Sequence, residues 1–174
     1  MKSLLILGAG GFGRMIKETA LALGYEEVLF LDDTAKDDDV IGRCCDYHLY
    51  HRDYSVAVAA FGNNKTRLFW TQKLLEEEYE VPAIVHPSAI VSPSVRLEPG
   101  CFIMQRAVVN MNTTIKMAAL INSGAVVDHD SIVEEGAHVG LGSVVKAHCV
   151  IEPGRKVEAG EVIFSTRRTI EGAD

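Results

Sequence analysis

The sequence predicts two parts of different fold class: an α/β part over residues 1–82 and an all-β part, a parallel β-helix, over residues 83–163. Residues 164–174 are predicted to form a short tail. Ten of the twelve aromatic residues lie before Pro82, whereas the chain after it carries an aliphatic residue at every sixth position. The change from aromatic and Leu-rich composition to β-branched residues across Val81–Pro82 marks a domain boundary.

Apolar segments of strand length alternate with helical patterns in the first part. This alternation predicts a parallel sheet with the nucleotide-binding topology of half a Rossmann fold. The predicted elements are a strand over 4–7, a helix from the glycine-rich segment to about residue 23, strands over 28–31 and 55–61, and a helix from 64 to about 79.

The second part is a hexapeptide repeat. Each of the fourteen positions taken in steps of six from Val85 to Ile163 is aliphatic, and in eleven of thirteen cases the residue four places later is small. The small residue and the next aliphatic residue are two apart, so both point inward on one short strand. An uninterrupted period of six predicts a parallel β-helix, with Cys101 and Cys149 in its inward column of small residues.

One outward line of the β-helix is also aliphatic. Three-sided coils of eighteen residues bring five side chains onto one face, a line called here the aliphatic stripe: Ile90, Val108, Val126, Val144 and Val162. An exposed apolar line repeated along a rigid prism favours a closed cyclic oligomer, and we predict a homotrimer. The alternative is that the first part of the chain folds back over the stripe.

Composition excludes several classes of function. The formal net charge of −7 disfavours binding to nucleic acid or to anionic membranes, which needs a basic surface. No apolar run approaches the roughly 18 residues of a membrane span. Four cysteines without a CxxC pair indicate reduced thiols and a cytoplasmic protein.

The glycine-rich segment between the first strand and helix is a candidate phosphate site, because backbone N–H groups and the helix dipole can approach a pyrophosphate there. In a dinucleotide enzyme Asp32 or Asp33 would contact the adenosine ribose, and the alternative for Asp32 is a turn residue after a strand. NAD is the rival ligand, but about 80 residues supply one mononucleotide half of the fold. Asn63, Asn64 and Arg67 could donate to phosphate or sugar hydroxyls, or cap and solvate the second helix.

Five motifs in one order give the chain a family resemblance: 8–14, the pair Asp32-Asp33, 61–67, 86–89 and 121–130. Together they resemble the nucleotide-sugar acetyltransferases related to sialic-acid O-acetyltransferases, with a left-handed β-helix. Phe12 stands where that family often has His, and its usual Gly-Val-Pro-Ala-Lys type tail is missing after Ile163. The best-known members acetylate the 4-amino group of UDP-4-amino-4,6-dideoxy-N-acetylglucosamine. The resemblance implies acetyl-coenzyme A as the donor and the following nucleotide-sugar contacts: Gly8, Gly10, Gly11, Phe12, Gly13, Arg14, Asp32, Asp33, Gly62, Asn63, Arg67 and Asn122.

His129 is the candidate general base, because acetyl transfer requires a group that takes a proton from the incoming amine or hydroxyl. Flanking Asp128 and Asp130 could orient the ring, and in the resembling family the acid after this His, here Asp130, does so. The alternative is an ordinary surface histidine.

His138 lies nine residues after His129, half a coil, so within one subunit the two face different sides of the prism. We therefore expect each site to be built by two subunits, with His138 near the thioester end of the donor. Ala147, one coil above His129, is placed to donate its backbone N–H to the thioester carbonyl. Both are predicted acetyl-coenzyme A contacts.

No metal is expected, since successive histidines of the repeat are 43, 9 and 10 residues apart, unlike the zinc sites of trimeric carbonic anhydrases of this fold. We predict direct attack on the thioester by the amine of a nucleotide-linked sugar. The alternatives are O-acetylation of a sugar such as a sialic acid, and a non-catalytic trimer that binds nucleotide sugars and regulates a neighbour.

Overall fold

The computed structural model describes residues 2–164, so the predicted tail lies outside the described residues apart from Phe164. The first part is a four-stranded parallel sheet with strand order β3-β2-β1-β4 and two helices. Its elements are β1 (Ser3–Leu7), α1 (Gly11–Ala22), β2 (Glu27–Leu31), β3 (Val40–Gly42), a 3-10 helix (Cys44–Leu49), β4 (Ala57–Ala59) and α2 (Asn64–Glu76).

Two elements of the first part were not predicted. The edge strand β3 has three half-buried residues, too few to show alternation, and the 3-10 helix after it lacks a helical apolar period. The helix α2 ends at Glu76 rather than near Tyr79, because Glu78 has a left-handed backbone with φ 62°.

The second part is a parallel β-helix, which confirms the predicted fold class. Three stacked sheets, one for each face of the prism, pair each strand with its equivalent eighteen residues on. Its strands are β5 (Ile84–Val85), β6 (Ile90–Val91), β7 (Arg96–Leu97), β8 (Phe102–Ile103), β9 (Val108–Val109), β10 (Thr114–Ile115), β11 (Leu120–Ile121), β12 (Val126–Val127), β13 (Ile132–Val133), β14 (His138–Val139), β15 (Val144–Val145), β16 (Val150–Ile151), β17 (Lys156–Val157) and β18 (Val162–Ile163).

The inward columns form the core of the prism as predicted. The aliphatic column is fully buried from Ile103 to Val157, and Cys101 and Cys149 are buried in the column of small residues. Each buried aliphatic side chain contributes about 1.5–3 kcal/mol. This closed interior makes the prism a rigid support for residues at its corners.

The first part of the chain packs on a face of the prism other than the aliphatic stripe. Ile84, Phe102 and Leu120 point outward from β5, β8 and β11, and all three are buried in one apolar core with the α/β sheet. On the stripe, Ile90 is 67% exposed and Val162 is 41% exposed. The three stripe residues between them are half-buried, but no stripe residue belongs to the core that the first part forms with the prism. Within residues 2–164, therefore, the first part does not cover the stripe.

Arg67 links the two parts of the chain. Its side chain is fully buried, and burial lowers its pKa to about 10. The guanidinium donates to the carbonyls of Phe61, Ala118 and Gly136 at 2.9, 2.7 and 3.0 Å, and to Asn64 Oδ1 at 2.9 Å. One cation therefore satisfies backbone acceptors of both parts.

Among residues 2–164, the two α-helices and the 3-10 helix are too short or too polar to span a lipid bilayer.

Candidate active site

The glycine loop between β1 and α1 folds closely against itself on one side and is open on the other. Gly8 has φ 100°, and a Cβ on Gly13 would lie 1.9 Å from the carbonyl oxygen of Gly8. At Gly10 and Gly11 an added Cβ would meet no atom within 4 Å. The loop thus presents an open face at the N-terminus of α1, where backbone N–H groups favour anions.

Alanine substitutions at Gly13 and at Gly11 should have different effects on stability. Gly13→Ala should lower the free energy of unfolding by about 2 kcal/mol, because the methyl group overlaps the backbone of Gly8. Gly11→Ala, the matched control, should leave it unchanged or raise it by about 0.5 kcal/mol through helix propensity. Urea unfolding at one protein concentration measures both, and equal losses would contradict this account of the loop.

Asp32 supports the glycine loop from the end of β2. Its carboxylate accepts hydrogen bonds from the backbone N–H groups of Ala9, Thr34 and Ala35, each at 2.8 Å. Burial opposes ionisation, but these bonds and one from the Thr34 hydroxyl outweigh it and lower the pKa of Asp32 to about 2. Asp33 accepts from the N–H of Cys44 at 3.2 Å.

Three other predicted sugar contacts already have protein partners. Arg14 pairs with Asp37 and Asp39. Phe12 packs edge-to-face on Phe102, with ring centroids 5.2 Å apart, and so joins the two parts of the chain. Asn63 accepts from the N–H of Thr66 at 3.0 Å and caps α2, the structural alternative considered for it.

Arg67 and Gly62 differ in their access to a ligand. Arg67 is buried and its donors are taken by protein acceptors, so the structure gives it a structural position rather than the expected phosphate contact. Gly62 is exposed and lines a groove of about 300 Å³ with Asn63, Lys65 and Lys156.

Asn122 and His138 form a hydrogen-bonded pair on the face that carries the α/β part. Asn122 Oδ1 accepts from the N–H of Ser123 at 2.8 Å, so its amide nitrogen faces His138 Nε2 at 3.0 Å. His138 therefore accepts at Nε2 and carries its proton on Nδ1, which is buried and has no partner among residues 2–164. Burial, with the charges of Arg67 and Lys156, lowers the pKa of His138 to about 4 and keeps the ring neutral.

His129 and Asp130 lie in the turn between β12 and β13. His129 Nδ1 is 2.7 Å from Asp130 Oδ2, and the two side chains are 43% and 38% exposed. The hydrogen bond to Asp130 raises the pKa of His129, and the same bond lowers that of Asp130. The ionised carboxylate holds the proton of the neutral ring on Nδ1 and leaves Nε2 as an acceptor.

Residues in the neighbouring coils support this pair. Asn112, one coil below Asp130, donates to Asp130 Oδ1 at 3.2 Å. Asp128 accepts from Asn110 at 2.9 Å and from the His129 N–H at 2.9 Å. These bonds fix the backbone and the carboxylate that orient the imidazole.

Ala147 lies one coil above His129, as predicted. Within the described chain its backbone N–H donates no hydrogen bond, whereas its neighbours Lys146 and His148 donate to the carbonyls of Ile163 and His129. The Ala147 N–H thus retains its capacity to bind a carbonyl oxygen.

His148 is the residue that sequence reasoning missed. Its ring stands edge-to-face to that of His129, with centroids 5.2 Å apart and an interplanar angle of 89°. Asn112, Asp130 and His148 occupy equivalent left-handed turn positions eighteen residues apart, with φ of 57°, 56° and 60°. Counting eighteen residues, one coil, from Asp130 leads to His148 and would have predicted that it lies beside the pair. The spacing between successive histidines did not indicate this.

Comparisons with known proteins match this architecture. The family model of the PglD N-terminal domain matches residues 3–74. The acetyltransferase domain of PglB from Neisseria gonorrhoeae is 28% identical over 94% of this chain and 92% of that one, with a TM-score of 0.74. PerB from Caulobacter crescentus, in complex with CoA and GDP-perosamine, is 28% identical over 94% and 89%, with a TM-score of 0.79. The PglB domain in complex with acetyl coenzyme A is 27% identical over 93% and 92%, with a TM-score of 0.71.

Over nearly its whole length the chain is similar to hexapeptide-repeat nucleotide-sugar acetyltransferases. The predicted resemblance and the predicted enzyme class, an acetyltransferase, are thereby confirmed. In this acetyltransferase the predicted site residues fall into two groups. The glycine loop, Asn122 and His138 are associated with the prism face that carries the α/β part, whereas His129 and Asp130 occupy the corner between the aliphatic stripe and the third face.

Proposed function

We propose that this acetyltransferase transfers the acetyl group of acetyl-coenzyme A to the amine of a nucleotide-linked amino sugar of the UDP-4-amino-4,6-dideoxy type. The observation that carries the proposal is the His129–Asp130 pair, 2.7 Å apart, at a partly exposed corner where the second ring nitrogen has no hydrogen-bond partner among residues 2–164. Support for the ligand classes comes from the similar structures of PglB with acetyl coenzyme A and of PerB with CoA and GDP-perosamine, itself an amino sugar.

The reaction proceeds by direct attack of the amine on the thioester carbonyl. A carbon–nitrogen bond forms, His129 Nε2 takes the proton of the attacking amine, and the carbon–sulfur bond breaks to release coenzyme A. Asp130 stabilises the imidazolium that results, and the Ala147 N–H binds the oxygen on which charge develops. The buried thiols Cys101 and Cys149 take no part, since burial raises their pKa.

The diphosphate of the sugar nucleotide binds at the open face of the glycine loop in this proposal. Backbone N–H groups of Gly10 and Gly11 are the donors, and Gly8 and Gly13 allow the tight backbone approach. Asp32 holds the loop in this shape and keeps its carboxylate near the nucleoside end. The amino sugar then extends along the face that carries Asn122.

The active form is a homotrimer in which the aliphatic stripe is buried between subunits. The α/β part covers the adjacent apolar face and leaves the stripe open. The β-helix of a second subunit can bury the stripe. In this arrangement the sugar held by one subunit reaches His129 of a neighbour, with His138 beside the donor. The free thiols Cys44, Cys45, Cys101 and Cys149 agree with a cytoplasmic location.

The test is the release of coenzyme A from acetyl-coenzyme A with a panel of acceptors. The panel contains UDP-4-amino sugars, GDP-perosamine, the matching nucleotide sugars without the amine, and free or CMP-linked sialic acid. Turnover with a UDP-amino sugar alone supports the proposal. Turnover with GDP-perosamine alone overturns the choice of UDP and assigns GDP as the nucleotide of the substrate. Turnover with sialic acid, or nucleotide-sugar binding without any turnover, overturns it in favour of O-acetylation or of a regulatory trimer.

Asp130→Asn tests the role of the carboxylate through the pH profile. Because the bond to Asp130 raises the pKa of His129, and the base must be neutral, the rate falls on the acid side of that pKa. Removing the negative charge lowers the pKa, so the acid limb of kcat should move to lower pH. The plateau should fall by about tenfold or more, since Asn does not fix the tautomer. A lower plateau with an unmoved acid limb would assign Asp130 a different role.

A further inference from the structure

The catalytic corner carries more potential metal ligands than acetyl transfer uses. His129, Asp130 and His148 each offer one ligand atom, and these three atoms lie within 4.8 Å of one another. Imidazole nitrogens and carboxylate oxygens bind Zn²⁺ at about 2.0–2.2 Å, which places ligand atoms of one ion roughly 3.3 Å apart. His129 is half-buried and Asp130 and His148 are exposed, so their side chains have room to rotate toward one ion.

The backbone already holds the two histidines together. The His148 N–H donates to the His129 carbonyl at 3.1 Å, so the two residues are fixed in adjacent coils of the rigid prism. Asn112 donates to Asp130 Oδ1, which leaves Oδ2 facing the histidine rings. A metal ion would therefore bind between residues that are already adjacent, replacing the proton between His129 Nδ1 and Asp130 Oδ2 and leaving the remaining positions open to water.

We propose that His129, Asp130 and His148 bind a first-row transition-metal ion such as Zn²⁺, and that the bound ion inhibits acetyl transfer. Two imidazoles select zinc, copper or nickel over magnesium and calcium, which prefer oxygen ligands. With the metal on His129 Nδ1, beside Asp130, the neutral ring carries its proton on Nε2, which then cannot accept the proton of the amine. The binding step stands on the cluster alone, whereas the inhibition step rests on the proposed function of His129.

Binding is tested with the full chain after removal of metal, by titrating Zn²⁺ in competition with a chromogenic chelator. We expect one Zn²⁺ per chain, binding about tenfold or more weaker in His148→Asn, and no response to Mg²⁺. The matched control is His86→Asn, since His86 also lies in a β-helix turn but its recorded side-chain partner is Ser88. Equal zinc affinity of wild type and His148→Asn would overturn the site.

Inhibition is tested by comparing each protein with its own metal-free rate. The thiol of the released coenzyme A also binds zinc, so a thiol reagent would give a false rate. The acetylated sugar nucleotide is therefore measured by chromatography. Wild type should lose activity at zinc concentrations that fill the site and regain it with a chelator, whereas His148→Asn should need about tenfold more zinc. Full activity of zinc-loaded wild type would overturn the inhibition step. Zinc binding that depends on His148 in a chain without transferase activity would uphold the site and count against the proposed function instead.

Discussion

His129→Ala is expected to lower kcat by about a hundredfold or more, the usual contribution of a general base. The side chain is partly exposed and, within residues 2–164, forms one hydrogen bond, to Asp130, so its removal should leave the fold unchanged. The variant loses the acceptor for the proton of the amine, while the glycine loop and the Ala147 N–H remain. Steady-state kinetics with saturating acetyl-coenzyme A and the best acceptor of the panel measure the loss.

His86→Ala is the matched control for this variant. His86 is a histidine of the same β-helix, bonded to Ser88, and it has no role in the proposed mechanism. Its kcat should stay close to that of wild type, and both variants should keep the same thermal unfolding midpoint. A His129→Ala enzyme that retains its rate would remove the base from the mechanism. A large loss in His86→Ala as well would indicate that the assay reports folding rather than chemistry.

Val126→Glu is expected to convert the proposed homotrimer to monomers and to abolish most of the activity. Val126 lies at the middle of the aliphatic stripe, in register with Val108 below and Val144 above. A carboxylate buried there without a partner costs several kcal/mol in each subunit contact. Because the proposed site takes residues from two subunits, activity should fall together with assembly.

Sedimentation velocity or light scattering measures this change, with Val150→Glu as the control. Val150 also points outward from a β-helix strand and is 52% exposed, but it lies on another face of the prism. It should remain a trimer with near-normal activity. If Val150→Glu dissociates while Val126→Glu stays trimeric, the interface belongs to the face of Val150 and the assignment of the stripe is wrong.

The sequence was most informative where structure depends on local period. The period of six residues determines which side chains fill the interior of the prism, and every coil has the same pattern. The β-helix and its buried aliphatic column were therefore predicted closely. The glycine loop was also predictable, because a strand followed by closely spaced glycines and a helix leaves few backbone paths.

The roles of single polar residues were much less predictable. Arg67 was expected at a ligand, yet its acceptors include the carbonyls of Ala118 and Gly136, 51 and 69 residues further along the chain. Such contacts depend on how the two parts dock, which no local pattern encodes. The position of His148, by contrast, could have been predicted. It follows Asp130 by eighteen residues, the length of one coil, and therefore lies directly beside it in the next coil.

The register of eighteen residues also limits how the length of this chain can change. Removing six residues before β12 would turn every later strand by one face of the prism, so His129 would move to a different corner and the aliphatic stripe would break. Removing eighteen residues would keep each face in phase and shorten the prism by about one strand spacing, 4.7–4.9 Å. Insertions and deletions that shift the strands should therefore be tolerated only in whole coils. A single inserted residue should be tolerated only at a corner, where a bulged turn leaves the register of the strands unchanged.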